Sequence, residues 1–140
     1  MDSDVQMTDN TEELLKDLEF KIEKALTMVG MEAEGDAKIE IESDPRRVDT
    51  GRLRNSITWA TVKEHSDPEP TPDNPDADST DGVDSSQAED RAVIIGTNVE
   101  YAYEIHEGRE GLAPNRFLRN AVERNYEKYK KMIDEVMKEE

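Results

Sequence analysis

Cysteine is absent and histidine occurs only twice in this chain of 140 residues. Without cysteine there is no disulfide and no thiolate metal site. With His65 and His106 alone, an imidazole-based catalytic or zinc centre lacks partners. Cations are also scarce. Lys and Arg total 18 against 35 Asp and Glu, for a net charge of -17. Tight binding to nucleic-acid phosphates rests on clustered cations, so it is a poor candidate for the main role. Apolar runs such as Ala92 to Ile95 fall far short of the ~20 residues of a membrane span. The start, Met-Asp-Ser-Asp-Val, has neither the apolar stretch of a signal peptide nor the basic character of a transit peptide. Hydrophobic residues make up 34% of the chain, below the usual ~45–50% (glycine included), which suits one modest core.

What is present is acid, unevenly placed. Residues 65–90 hold nine carboxylates, no Lys or Arg and four of the six prolines, leaving -8 for the rest of the chain. The one strong hydrophobe there is Val83. Such a stretch has little to bury against an ordering cost of roughly 1–2 kcal/mol per residue, and it reads as a disordered insert. Residues 1–9 read as a flexible tail, and 10–140 as a single domain around the insert.

Helical periodicity begins after Asn10, which with Glu13 has capping-box spacing. Leu14, Leu18, Ile22, Leu26 and Val29 form an apolar stripe, continued by Ala33, Ala37 and Ile41, which predicts a helix to about Ser43 before Pro45. Gly30 and Gly35 either interrupt it or admit a close neighbour. Asp49 or Thr50 can cap a short helical turn through Asn55. β-Branched and aromatic residues predict strands over 56–64 and 91–97. Asn98 can cap a short helix to Glu107, with Gly108 as an αL stop. Pro114 suits the first turn of a last helix over about 115–138, with Leu118, Val122, Tyr129 and Val136 on one face. The expected fold is α+β: a small antiparallel sheet packed against long N-terminal and C-terminal helices.

Two stretches carry a family resemblance. One is Val48-Asp49-Thr50-Gly51-Arg52-Leu53-Arg54-Asn55-Ser56-Ile57. The other runs through Ile95-Gly96-Thr97-Asn98-Val99-Glu100-Tyr101-Ala102, then Ile105-His106-Glu107-Gly108, then Pro114-Asn115-Arg116-Phe117-Leu118. In this order, after a long amphipathic helix, they resemble the gene-product-ten-like neck or tail-completion proteins of long-tailed viruses. The resemblance covers about Leu14 to Ile133 apart from the acidic insert. It implies a structural virion protein that forms a ring at the head–tail junction and docks on neighbouring neck, head-completion and tail proteins. Assembly would take place in the host cytoplasm, and DNA would pass through the ring without specific binding. It implies no enzyme, cofactor, metal or membrane.

The motifs themselves read as architectural. Gly51 and Gly96 suit backbone that a Cβ would obstruct, Asp49 and Thr50 offer oxygens to exposed N–H groups, and Phe117 and Leu118 anchor the last helix. Trp59 is expected in the core between sheet and helix. Tyr101, Tyr103, Ile105, His106 and Leu112 cluster in a segment too short to form a core alone, which marks a candidate interface. Arg46, Arg47, Arg52 and Arg54 form the basic cluster. They either touch passing DNA or an acidic neighbour, or pair with Glu40, Glu42 and Asp44. The acidity suits a wall that repels DNA, or solubility at high salt in a virus of a halophilic host. The competing functional class is an acidic DNA mimic or regulatory binding protein.

Overall fold

The computed structural model describes residues 2–44, 50–70 and 78–139, with side chains for all of these except 2–10 and 50. Helix α1 spans Asp2–Glu42. Helix α2 spans Thr50–Ser56 and strand β1 Thr58–Ala60. Two short 3-10 turns follow at Ser79–Asp81 and Ser85–Gln87. Strand β2 spans Ile94–Gly96, helix α3 Ala102–Glu107 and helix α4 Phe117–Met137. The two strands pair antiparallel, with Trp59 opposite Ile95. The fold is α+β, with long first and last helices flanking a two-stranded sheet.

The helices α1 and α4 run antiparallel, as their cross-links show. Arg124 bonds Glu40, Lys128 bonds Glu32 and Asp36, and Lys24 bonds Glu139. At 1.5 Å per residue α1 is about 60 Å long and α4 about 30 Å, so α1 outreaches its partner. Its N-terminal part projects past the end of α4.

Apolar burial is concentrated at the other end. Ala37, Ile41, Leu53, Ile57, Val99, Ala102, Ile105, Phe117 and Ala121 form one cluster. A smaller one joins Val29, Ala33 and Tyr129, flanked by Val93, Met132 and Ile133. Trp59 is buried as expected. Gly30 explains how α1 lies so close to the sheet. A Cβ there would stand 2.9 Å from both Trp59 Cγ and Val93 Cγ2. Gly35, by contrast, faces open space.

Several boundaries differ from expectation. The first helix starts at Asp2, so Asn10 does not cap it, and residues 2–9 are helical. A capping-box spacing inside a continuing helix has no free N–H groups to satisfy. Helix α3 starts at Ala102 because Asn98 is engaged elsewhere: its Nδ2 donates to the Gly82 carbonyl at 2.9 Å and to Gln87 Oε1 at 2.9 Å. Pro114 precedes α4, which begins at Phe117. Gly108 does end α3 with positive φ (82°), but its ψ of 171° is extended, not αL. Gly51 sits in α2 with nothing near its Cβ position, so no close approach requires it.

The largest difference is the acidic insert. Its described residues, 65–70 and 78–90, are not free of the core. Val83 is 7% exposed and Asp81 likewise 7%. Gly82 bridges Thr97, and Thr58 Oγ1 donates to the Val83 carbonyl at 2.9 Å. A Cβ on Gly96 would meet Val83 Cγ1 at 2.9 Å, which is the obstruction expected at that glycine. Asp78 and Asp84 cap the two short turns through Thr80 and Ser86. One valine in a polar stretch suffices as an anchor when its backbone joins the edge of a sheet.

Candidate functional site

The motif residues meet around α2. Leu53 is fully buried in the main cluster, and Ser56 Oγ donates to the Leu53 carbonyl at 2.6 Å while lying 2.6 Å from Thr97 Oγ1. That contact joins the two motif stretches directly. Arg52 lies on the outer side of α2. Its Nε and Nη2 donate to the two oxygens of Asp81 at 3.1 and 2.9 Å, and its Nη1 donates to Glu100 Oε1 at 3.0 Å. The guanidinium also sits 5.9 Å from the centre of the Tyr101 ring. Hydrogen bonds to Asp81 and then to Glu100 push the Arg52 pKa further up.

Arg54 reaches the other way, to Glu42 of α1 and to Glu69 Oε2 at 3.1 Å. Glu69 is shared with Lys38, a residue only 4% exposed, whose Nζ lies 2.8 Å away. The Lys38 bond holds the Glu69 carboxyl below its ordinary range, with Arg54 adding to the effect. Arg52 and Arg54 therefore face the chain's own acids. Of the three expected pairing partners, Glu42 takes Arg54 and Glu40 takes Arg124, while Asp44 accepts from Asn115 Nδ2 at 3.0 Å. Arg46, Arg47 and Asp49 lie outside the described residues.

The segment from Tyr101 to Phe117 divides. Ile105 is in the core at 4% exposure, so it is not available to a partner. Tyr101 packs partly against the same cluster, and Tyr103 is 76% exposed. Leu112 closes a tight bridge with Arg109, and Gly108 is pressed against the Leu112 carbonyl and the Pro114 nitrogen, where a Cβ would be 2.9 Å from each. Phe117 is fully buried, and its ring stands edge-on to His106 with centroids 5.3 Å apart. His106 Nδ1 lies 2.9 Å from Glu107 Oε1, and its Nε2 accepts weakly from the Arg119 N–H at 3.5 Å. The Glu107 carboxyl is held below its ordinary range by His106 first and Arg116 second. The geometry seats the last helix and places His106 in the lining of the groove described next.

A groove missed by sequence reasoning runs beside α4. It encloses about 660 Å³ between α1, β2, α3 and α4, and its walls are mostly apolar: Val29, Ala33, Ile95, Val122, Tyr126 and Ile133 are among them. Tyr126 is 59% exposed and Val122 38% exposed. His106, Arg119, Lys130 and Asp134 are its ionisable lining residues. The second missed surface is the projecting part of α1, where Leu14, Leu15 and Leu18 are 66%, 54% and 42% exposed. Their helical stripe was legible, but periodicity does not say whether a stripe faces the chain's own core or another molecule.

These motifs, this order and this α+β frame have a counterpart among known families. Residues 6–108 match the family model described as "Bacteriophage HK97-gp10, putative tail-component". The chain belongs to this family. The match takes in α1, α2, both strands, the insert and α3, and it stops at Gly108, before α4. No curated protein and no solved structure matches the chain. Membership makes it a phage tail component, a structural protein of the virion that works against other virion proteins. Within the fold, Ser56 joins α2 to Thr97, and Arg52 joins it to Asp81 of the insert and to Glu100.

Proposed function

We propose that this tail component forms a ring at the head–tail junction, as a neck or tail-completion protein, and acts by self-assembly and docking. The observation that carries the reading is the family match over residues 6–108. Its support in the fold is the apolar surface left open on a small chain, on the projecting part of α1 and along the α4 groove. A ring requires a heterologous contact, in which two different patches on one subunit meet. Neighbouring head-completion and tail proteins would then stack on its two faces, and DNA would pass through the lumen without specific contact. The acidic surface suits such a passage, because carboxylates repel phosphates.

The DNA-mimic reading draws on acidity alone, and some of that acid is engaged within the chain. Asp81, Glu69 and Glu100 are held by Arg52, Arg54 and Lys38. Mass measurement in solution, followed by electron microscopy of the purified protein, tests the proposal. A closed oligomer with a central opening is expected. A monomer at all concentrations overturns ring formation, and localisation of tagged protein away from the head–tail junction of assembled particles overturns the position.

A further inference from the structure

We propose that the projecting N-terminal part of α1 of one subunit lies in the apolar groove beside α4 of a second copy of this chain. The proposal rests on the self-assembly reading above and assigns its contact surfaces. Leu14, Leu15 and Leu18 continue the face that α1 buries against α4 and the sheet further along, at Ala25, Val29 and Ala33. Lys21 and Lys24 both bond Glu139, and Leu14 and Leu18 share a shallow pocket with Met137 and Glu139 at the last turn of α4; past that turn no described helix covers the face. An apolar helix face and an apolar groove of helical length are complementary shapes. The groove extends from Leu118 to Ile133 of α4, about 24 Å, enough for the ten residues 11–20 at about 15 Å.

The contact has to be between copies. The projecting segment and the groove wall at Val29 and Ala33 belong to one unbroken helix, so the segment points away from its own groove. Charge selects the groove over a second projecting segment. Residues 11–20 carry Glu12, Glu13, Asp17 and Glu19 against Lys16 alone, so two such segments side by side repel. The groove lining carries Arg119 and Lys130 against Asp134 alone, with Arg119 also near Glu123, and α4 has five basic against four acidic residues on a chain of -17. The apolar contact supplies affinity, and the lining cations favour the acidic helix as occupant. A segment-to-groove contact is heterologous, the type that propagates around a ring.

The test uses two variants of the full chain, Leu14→Gln/Leu18→Gln in the segment and Val122→Asp/Tyr126→Asp in the groove. All four positions are at least 38% exposed, so both should keep the wild-type helical signal in circular dichroism. Each variant alone is expected to fall to monomer, with association weakened about a hundredfold. Mixed one to one at a fixed salt concentration, they should form a heterodimer, because one subunit keeps an intact segment and the other an intact groove. A segment variant that still forms the wild-type oligomer overturns the proposal. So does loss of assembly in the segment variant with none in the groove variant, which indicates segment-to-segment pairing. Two monomeric variants that fail to form a heterodimer overturn it as well. A wild-type chain that is itself monomeric instead overturns the self-assembly reading on which the proposal rests.

Discussion

Arg52 and Asp81 form a two-point ion pair across 29 residues of chain, with Nε to Oδ2 at 3.1 Å and Nη2 to Oδ1 at 2.9 Å. It ties α2 to the acidic insert, and the Asp81 side chain is only 10% exposed. The neighbouring backbone completes the tie: the Asn98 N–H donates to the Asp81 carbonyl at 2.6 Å. Arg52→Ala leaves a nearly buried carboxylate without its cation. With Arg52 itself 37% exposed, the expected loss is about 1–3 kcal/mol, after allowing for solvent screening. Arg52→Lys should recover little, since a point ammonium cannot reproduce the fork. Urea denaturation of the three proteins measures the difference, and limited proteolysis should show earlier cleavage in the insert of Arg52→Ala.

The insert carries structural weight out of proportion to its composition. Val83 fills the space beside Gly96 and accepts from Thr58 through its carbonyl. Val83→Ala should cost about 1–3 kcal/mol from lost burial and the cavity left behind. Replacing residues 65–90 with a short turn should cost more than Val83→Ala alone, because it removes Val83, Asp81 and Glu69 together. Loop-closure entropy alone changes only slowly with length, so a loss above about 2 kcal/mol in thermal melts marks lost contacts. A shortened protein as stable as the wild type shows instead that the insert adds nothing to the fold.

Gly30 and Gly35 make a matched pair within α1. Both carry the ordinary helix penalty of glycine, about 1 kcal/mol relative to alanine. Gly35→Ala meets nothing within 4 Å and should stabilise by up to about 1 kcal/mol. Gly30→Ala places a methyl 2.9 Å from Trp59 and Val93, and overpacking of that kind costs about 1–3 kcal/mol, enough to outweigh the propensity gain. Thermal melts should show opposite signs for the two variants. The emission of Trp59, the chain's single tryptophan, should shift only in Gly30→Ala.

The elements were legible where periodicity was long. The stripe of α1 and the Leu118 to Val136 face of α4 placed both helices within a few residues except at the start of α1. The strands were legible in type but not in extent, since three residues each is all that pair. Ile57 and Val62, both β-branched, read alike in sequence. Tertiary contact separates them: Ile57 is fully buried at the end of α2, and Val62 is 40% exposed beyond β1. Residues 78–90 of the insert pack more closely than composition suggests, because composition averages over residues, whereas burial of Val83 and pairing of Asp81 are individual events. Arg52 and Arg54 were recognised as a cluster, and Glu42 does pair with Arg54; Asp81 and Glu69, which lie 29 and 15 residues away from Arg52 and Arg54, leave no local spacing signal. The apolar groove is assembled from α1, β2, α3 and α4, and no single stretch announces it.

Acid should loosen the insert in a defined direction. Bonds to Lys38 and Arg54 hold Glu69 below the usual glutamate range in the folded protein. Below about pH 4.3, the ordinary glutamate value, the unfolded chain takes up a proton that the folded chain does not. The contribution of Glu69 is therefore complete above that pH and is lost as pH falls through its depressed folded value. Glu69→Gln removes this component, so its stability should fall less steeply between about pH 5 and pH 3 than that of the wild type. Thermal melts across that range decide it. Identical slopes for the two proteins show that Glu69 is not held in its charged form by the fold.

Salt reports which charges matter in assembly. Each subunit brings -17, so gathering several copies into a ring sets many carboxylates against one another. Screening contracts from about 10 Å at 0.1 M to about 3 Å at 1 M, which weakens that repulsion while leaving apolar contact intact. The oligomeric fraction should therefore rise with potassium or sodium chloride alike, with no requirement for a divalent ion. Lys130→Glu places another acid in the lining of the α4 groove, and should move the rise to higher salt without changing the monomer's helical signal. A fraction that falls steadily with salt has the opposite meaning: attractive ion pairs hold the subunits together. Arg52 and Arg54 are poor sources of such pairs, because they are bound to Asp81, Glu100, Glu42 and Glu69 of their own chain. Breaking those bonds to make new ones across an interface gains little, so the repulsive contribution should dominate and the rise with salt is the expected result.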